Sequence, residues 1–164
     1  MNCLVIAEDI GLTAPGIVYE TIIRELVRYM NVSVITINRR TGLDLPVTYL
    51  PNVKYRKHRY SWRMYRLFMS VLGVNPFDLY WLFRQKKLIK SDEIKRQDII
   101  VSFASFHHYK GVILGEFLAR EYTKRWVIYS VDAIPAPIGW CKNDRFYRNT
   151  RKLISKYITR CNAF

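Results

Sequence analysis

The chain opens on an apolar run, Cys3-Leu4-Val5-Ile6-Ala7, that stops at two acids, Glu8 and Asp9. A turn-rich stretch follows, Ile10-Gly11-Leu12-Thr13-Ala14-Pro15-Gly16. Apolar residues then recur at helical spacing. Val18, Ile22, Leu26 and Met30 form one stripe with Ile23 and Val27 beside it, and Arg24, Glu25 and Arg28 fall on the other side. That pattern predicts a core-facing helix from about Ile17 to Met30. Thr13 is suited to cap it and Pro15-Gly16 to begin it. A β-branched strand, Val32 to Ile37, completes the unit. Strand, glycine loop, helix and parallel strand is the opening of a doubly wound α/β domain. In such sheets ligands bind beyond the carboxyl ends of the strands.

The pattern continues along the chain. Asn38 to Pro51 reads as a loop and Val53 to Lys57 as a third strand. Residues 60–90 read as two helices joined by the turn Gly73-Val74-Asn75-Pro76. Asp98 to Phe103 reads as a fourth strand, followed by a turn from Ala104 to Lys110 and a helix to about Tyr122. Trp126 to Val131 is a fifth strand, and a loop from Asp132 to Asp144 carries Pro135, Pro137 and Gly139. A basic helix covers Arg145 to Thr159. The expected architecture is a single Rossmann-like domain over residues 1–164, with a mainly parallel sheet and helices on both faces. Cys161-Asn162-Ala163-Phe164 reads as the start of a further strand, so the sequence is expected to be a piece of a longer protein.

Composition adds a partner class. Half of the 164 residues are hydrophobic and 15% are aromatic, so the chain can bury a core and does not read as disordered. The net charge of +14 attracts phosphates, whether on nucleic acid, anionic lipid or a phosphorylated substrate. The three cysteines, Cys3, Cys141 and Cys161, are far apart and show no metal-ligand spacing, which fits reduced thiols in a cytosolic protein. The first apolar run meets acids too early for a secretory signal. The segment Leu67 to Phe83 is broken by Gly73, Asn75, Pro76 and Asp78, whereas a membrane span needs about 20 mostly apolar residues.

Several chemistries are excluded by missing motifs. There is no G-x-G-x-x-G, no P-loop and no G-x-S-x-G elbow, and no Asp-x-Asp pair to hold a metal against a diphosphate. Glu8 and Asp9 are placed as in a receiver domain, but the phosphorylatable aspartate of that fold has no counterpart among Tyr55, Arg56, Lys57 and His58. The two acids are therefore expected to be solvated.

No acid occurs between Asp44 and Asp78, while Lys54, Arg56, Lys57, Arg59, Arg63 and Arg66 interleave with Tyr55, Tyr60, Trp62, Tyr65, Phe68 and Met69. Basic and aromatic residues on short helices suit an anionic bilayer surface, with Arg59, Trp62, Arg63 and Arg66 as the contact residues. Arg145, Arg148, Lys152 and Lys156 add a second basic stripe. Nucleic acid is the disfavoured partner, because no binding module is recognisable.

The segment from Ala7 to Glu20 resembles the start of GT-B glycosyltransferases of the family 4 type, which open with a strand, a glycine-bearing loop and a helix. Asp98 to His108 resembles a later strand-and-histidine segment of that family, and Val127 to Asp132 resembles the strand after it. The resemblance spans the whole chain as the N-terminal, acceptor-side half. It implies a hexosyltransferase-type enzyme that passes a sugar from a nucleotide-sugar to a glycan or lipid-linked acceptor. It implies no metal and no bound cofactor, and a place in bacterial surface polysaccharide or lipopolysaccharide assembly. It also implies a cytoplasmic protein, peripheral on the inner face of the plasma membrane.

Residue by residue, the resemblance puts the donor diphosphate at Thr13, Ala14, Pro15 and Gly16, where a helix N-terminus favours anions. The family's fourth-strand histidine falls near Phe103, and His107 and His108 follow on the turn, so one of them is expected to serve. Asp132 takes the fifth-strand site position, where a carboxylate can orient or deprotonate a hydroxyl. The donor-binding half and its Glu-x7-Glu pattern are absent from this sequence, so the chain by itself is expected to be inactive. The alternative is a non-catalytic basic α/β module that binds nucleic acid or anionic membrane.

Overall fold

The computed structural model describes residues 1–37, 43–50, 58–73, 76–105, 109–134 and 145–163, without the side chains at 58–62 and 77. Among them five parallel strands form one sheet: β1 (Asn2–Ala7), β2 (Asn31–Thr36), β3 (Val47–Tyr49), β4 (Ile99–Ala104) and β5 (Arg125–Ser130), in the order β3-β2-β1-β4-β5. The helices are α1 (Ala14–Leu26), α2 (His58–Leu72), α3 (Pro76–Lys86), α4 (Ser91–Lys95), α5 (Lys110–Tyr122) and α6 (Arg145–Ile158). This is the Rossmann-like α/β arrangement. Ala163 makes an isolated parallel bridge to Val127, with Ile128 N–H donating to its carbonyl at 3.0 Å.

Strand β1 shows why the sheet is doubly covered. Side chains alternate between the two faces of a strand. Leu4 and Ile6 enter one core with Ile100, Trp81, Leu114, Leu118, Trp126 and Ile154. Cys3, Val5 and Ala7 enter the other with Tyr19, Ile23, Val34 and Phe103. A central parallel strand is apolar on both faces, so it reads as an unbroken apolar run.

Three expectations are corrected. The third strand is β3, inside the segment read as a loop, while residues 53–57 lie outside the described residues. Three residues cannot display a period-two pattern, and parallel pairing of Val34 with Val47 through Thr36 with Tyr49 is what makes them a strand. Helix α4 was not anticipated, because five residues span little more than one turn. Helix α1 starts at Ala14 and ends at Leu26: Gly16, Tyr19 and Ile23 are buried, while Ile17, Val18 and Val27 are exposed. Ile22, Ile23, Leu26 and Met30 of the expected stripe do pack against the core, and Tyr19 takes the place expected of Val18.

Cys3 is fully buried, and burial pushes its thiol up from the ordinary 9.0 to about 11. Between those values the folded chain keeps a proton that the unfolded chain has lost. Stability therefore falls as pH rises through that window, by about 2–3 kcal/mol from this group alone. Urea unfolding at pH 9 and pH 11 checks this. The drop between the two is expected to be smaller in Cys3→Ala by that amount, and an equal drop would contradict it.

Candidate functional site

In the order β3-β2-β1-β4-β5 the direction of connection reverses between β1 and β4. The crevice beyond their carboxyl ends is the ordinary ligand position in such a sheet. The residues there are Glu8 and Asp9 after β1 and Ser105 after β4.

Asp9 is buried and Glu8 half-buried, and each is hydrogen-bonded near the start of a different helix where simple solvation was the expectation. The Asp9 carboxylate is buried and accepts from the Thr13 amide at 2.7 Å and from the Thr13 hydroxyl. Thr13 in turn accepts from the Gly16 amide at 3.2 Å, so it is the N-cap of α1. Glu8 accepts from the Lys110 amide at 2.6 Å and so supplies the cap of α5, whose own N-cap residue, Tyr109, makes no side-chain cap. Burial raises the Glu8 carboxyl above the ordinary carboxylate range. The Lys110 charge and amide pull it back, and Asp9 pushes it further up. A carboxylate at a helix N-terminus is the stabilising sign of charge.

A second group comes from α1 and the ends of β4 and β5. The Tyr19 hydroxyl donates to the Ala104 carbonyl at 2.5 Å and its ring packs on Phe103, centroids 4.7 Å apart. Burial raises the Tyr19 hydroxyl well above its usual range. A hydrogen bond with Ser105 opposes the rise, and the charges of Asp132 and Glu8 add to it. Ser130 Oγ lies 2.6 Å from the Asp132 carbonyl and 3.1 Å from that of Ala104, which ties the end of β5 to the end of β4. Glu8, Tyr19, Ser105, Ser130 and Asp132 thus gather at one edge of a strongly basic chain. Carboxylates and hydroxyls of this kind accept and orient hydroxyl groups.

Comparison with protein-family models and with curated proteins finds no match.

The expected site residues fall into three groups. Asp132 stands at this edge, half-buried. His107 and His108 lie outside the described residues, between Ser105 and α5. Phe103, near which the resemblance puts a histidine, is fully buried between Tyr19 and Tyr129. Thr13, Ala14, Pro15 and Gly16 do open α1. There Asp9 takes the Thr13 amide, the Thr13 hydroxyl takes that of Gly16, and Pro15 has none. A Cβ on Gly16 would collide with the Asp9 carboxylate and stand 3.1 Å from Gly11 N. The cap alone therefore requires glycine at this position.

On α2, Arg63 is exposed, whereas Arg66 is half-buried with its guanidinium 5.1 Å from the Phe146 ring centroid. Arg59 and Trp62 lie on α2 with side chains outside the description. A cleft of about 370 Å³ opens elsewhere, between β2, β3 and α4, lined by Val34, Val47, Ile94 and Gln97, and none of the expected residues borders it. Among the described residues no three His, Cys, Asp or Glu side chains converge as metal ligands. Sequence reasoning missed Tyr19, Ser105 and Ser130. A tyrosine one position off the expected apolar stripe was the available signal for the first of them.

Proposed function

We propose that this chain is the acceptor-side domain of a GT-B type glycosyltransferase, passing a hexosyl group from a nucleotide-sugar to an acceptor hydroxyl. The observation that carries the reading is that Glu8, Ser105 and Asp132 follow the carboxyl ends of the neighbouring strands β1, β4 and β5, with the Tyr19 hydroxyl bonded to Ala104 among them. Sugar acceptors are recognised by their hydroxyls, which donate to carboxylates and exchange hydrogen bonds with side-chain hydroxyls. In this reading Asp132 orients the attacking hydroxyl or takes its proton, and His107 or His108 is the candidate histidine of the reaction. The amides at Thr13 and Gly16 are engaged internally, which favours the acceptor role of this edge over diphosphate binding. The likeness of Ala7 to Glu20, Asp98 to His108 and Val127 to Asp132 to family segments adds order and spacing. Surface polysaccharide or lipopolysaccharide assembly on the cytoplasmic side is the proposed setting.

The test is donor turnover by the full-length protein encoded by the native gene. Incubated with a panel of nucleotide-sugars and a lipid-linked or glycan acceptor extract, it is expected to release nucleoside diphosphate in an acceptor-dependent way. Absence of release from every donor, together with absence of saturable nucleotide binding, rejects the transferase.

A further inference from the structure

We infer that α2 and α3 form a surface that inserts its apolar side chains into the interface of an anionic lipid bilayer. Helix α2 is held to α6 by one face only. Tyr65 packs edge-on against Phe146 with centroids 5.7 Å apart, Arg66 lies over the same ring, and Asn149 Nδ2 donates to the Met69 carbonyl at 2.8 Å. Met69 is fully buried. Residues two positions either side of it stand about 160° away on a helix. These are Leu67 and Val71, which are 54% and 59% exposed. Helix α3 repeats the arrangement. It buries Trp81, Leu82 and Gln85 and leaves Leu79, Tyr80 and Phe83 outside, Phe83 at 68%. Large aliphatic and aromatic side chains this exposed on two consecutive helices mark an interaction surface.

Charge selects the occupant. Arg63 on α2 and Arg84 and Lys87 on or just after α3 are exposed as well. The chain has no acid between Asp44 and Asp78 and carries +14 overall. A second copy of the chain would set like charges against each other. Nucleic acid offers phosphates but no apolar phase for leucine and valine. A bilayer with anionic headgroups offers both, and Tyr80 suits the headgroup level. No described helix is long and apolar enough to cross a membrane, so the contact is interfacial. The surface stands whether or not the transferase reading holds, because vesicle binding needs no sugar donor.

Co-sedimentation with phosphatidylglycerol-rich vesicles and with pure phosphatidylcholine vesicles tests it. The chain is expected to bind the anionic vesicles strongly and the neutral ones weakly. Leu67→Glu/Val71→Glu and, separately, Phe83→Glu are each expected to lower partitioning by about tenfold or more. Part of the binding should survive about 0.5 M salt, where purely electrostatic attraction is screened. Unchanged binding in both variants overturns the inference, and so does complete loss of wild-type binding in that salt. A concentration-dependent dimer that the same substitutions disrupt, without vesicle binding, also overturns it. Far-ultraviolet circular dichroism identifies a variant that fails to fold, and the substitution on the other helix then carries the test.

Discussion

Gly115→Val is expected to destabilise the fold by about 3–5 kcal/mol, from overpacking and lost hydrogen bonds together. Gly115 lies where α5 crosses the sheet. A Cβ there would collide with Ser102 Oγ and stand 2.7 Å from Trp126 Nε1. Those atoms are already committed: Trp126 Nε1–H donates to Ser102 Oγ at 2.9 Å, and the Ser102 hydroxyl donates to the Gly111 carbonyl at 2.9 Å. Ser102 is fully buried and Trp126 nearly so, so neither can turn out to water. A valine must push α5 off β4 and β5 or break both bonds. Moving α5 also draws the Lys110 amide away from Glu8 at the candidate site. Thermal unfolding followed by circular dichroism is expected to show a drop in Tm of roughly 10 °C for a chain of this size. A drop of only a degree or two would mean that α5 does not approach the sheet this closely.

On the proposed transferase reading, Asp132→Asn in the full-length protein is expected to lower kcat by about 10²–10³-fold while leaving the KM for the donor unchanged. Asparagine keeps the shape and the hydrogen-bonding reach of the side chain but cannot take a proton. The residue is half-buried, and circular dichroism of the variant checks that the fold is kept. Unchanged kcat and donor KM would remove Asp132 from the chemistry. A raised donor KM with unchanged kcat would assign it to donor binding instead.

Much of the sheet was legible because of how parallel strands are built. β1, β2, β4 and β5 run beneath helices and are apolar on most positions, so each stands out as a short apolar run between turns. Thr13 announced the start of α1 correctly, since an N-cap is a local interaction of three residues. The stretch read as a third strand and the histidine pair lie outside the described residues, while β3 and α4 are too short to carry a periodic signal.

The candidate site was less legible, for a reason of distance along the chain. The hydrogen bond from Lys110 to Glu8 joins residues 102 positions apart, and Tyr19 reaches Ala104 across 85. Nothing local distinguishes an acid that caps a distant helix from one that faces water. The same holds for the apolar residues of α2, where Met69 and Leu67 are equivalent in composition and only packing against α6 decides which is covered.

By itself the sequence determined the α/β class, the parallel character of the sheet, most strand positions and the cationic balance. Those follow from short-range periodicity and summed charge. The tertiary structure alone decided that Tyr19 and not Val18 faces the core on α1, that Glu8 caps α5, and which apolar residues are left in water. Each of these depends on partners that the chain brings together only when the sheet has formed.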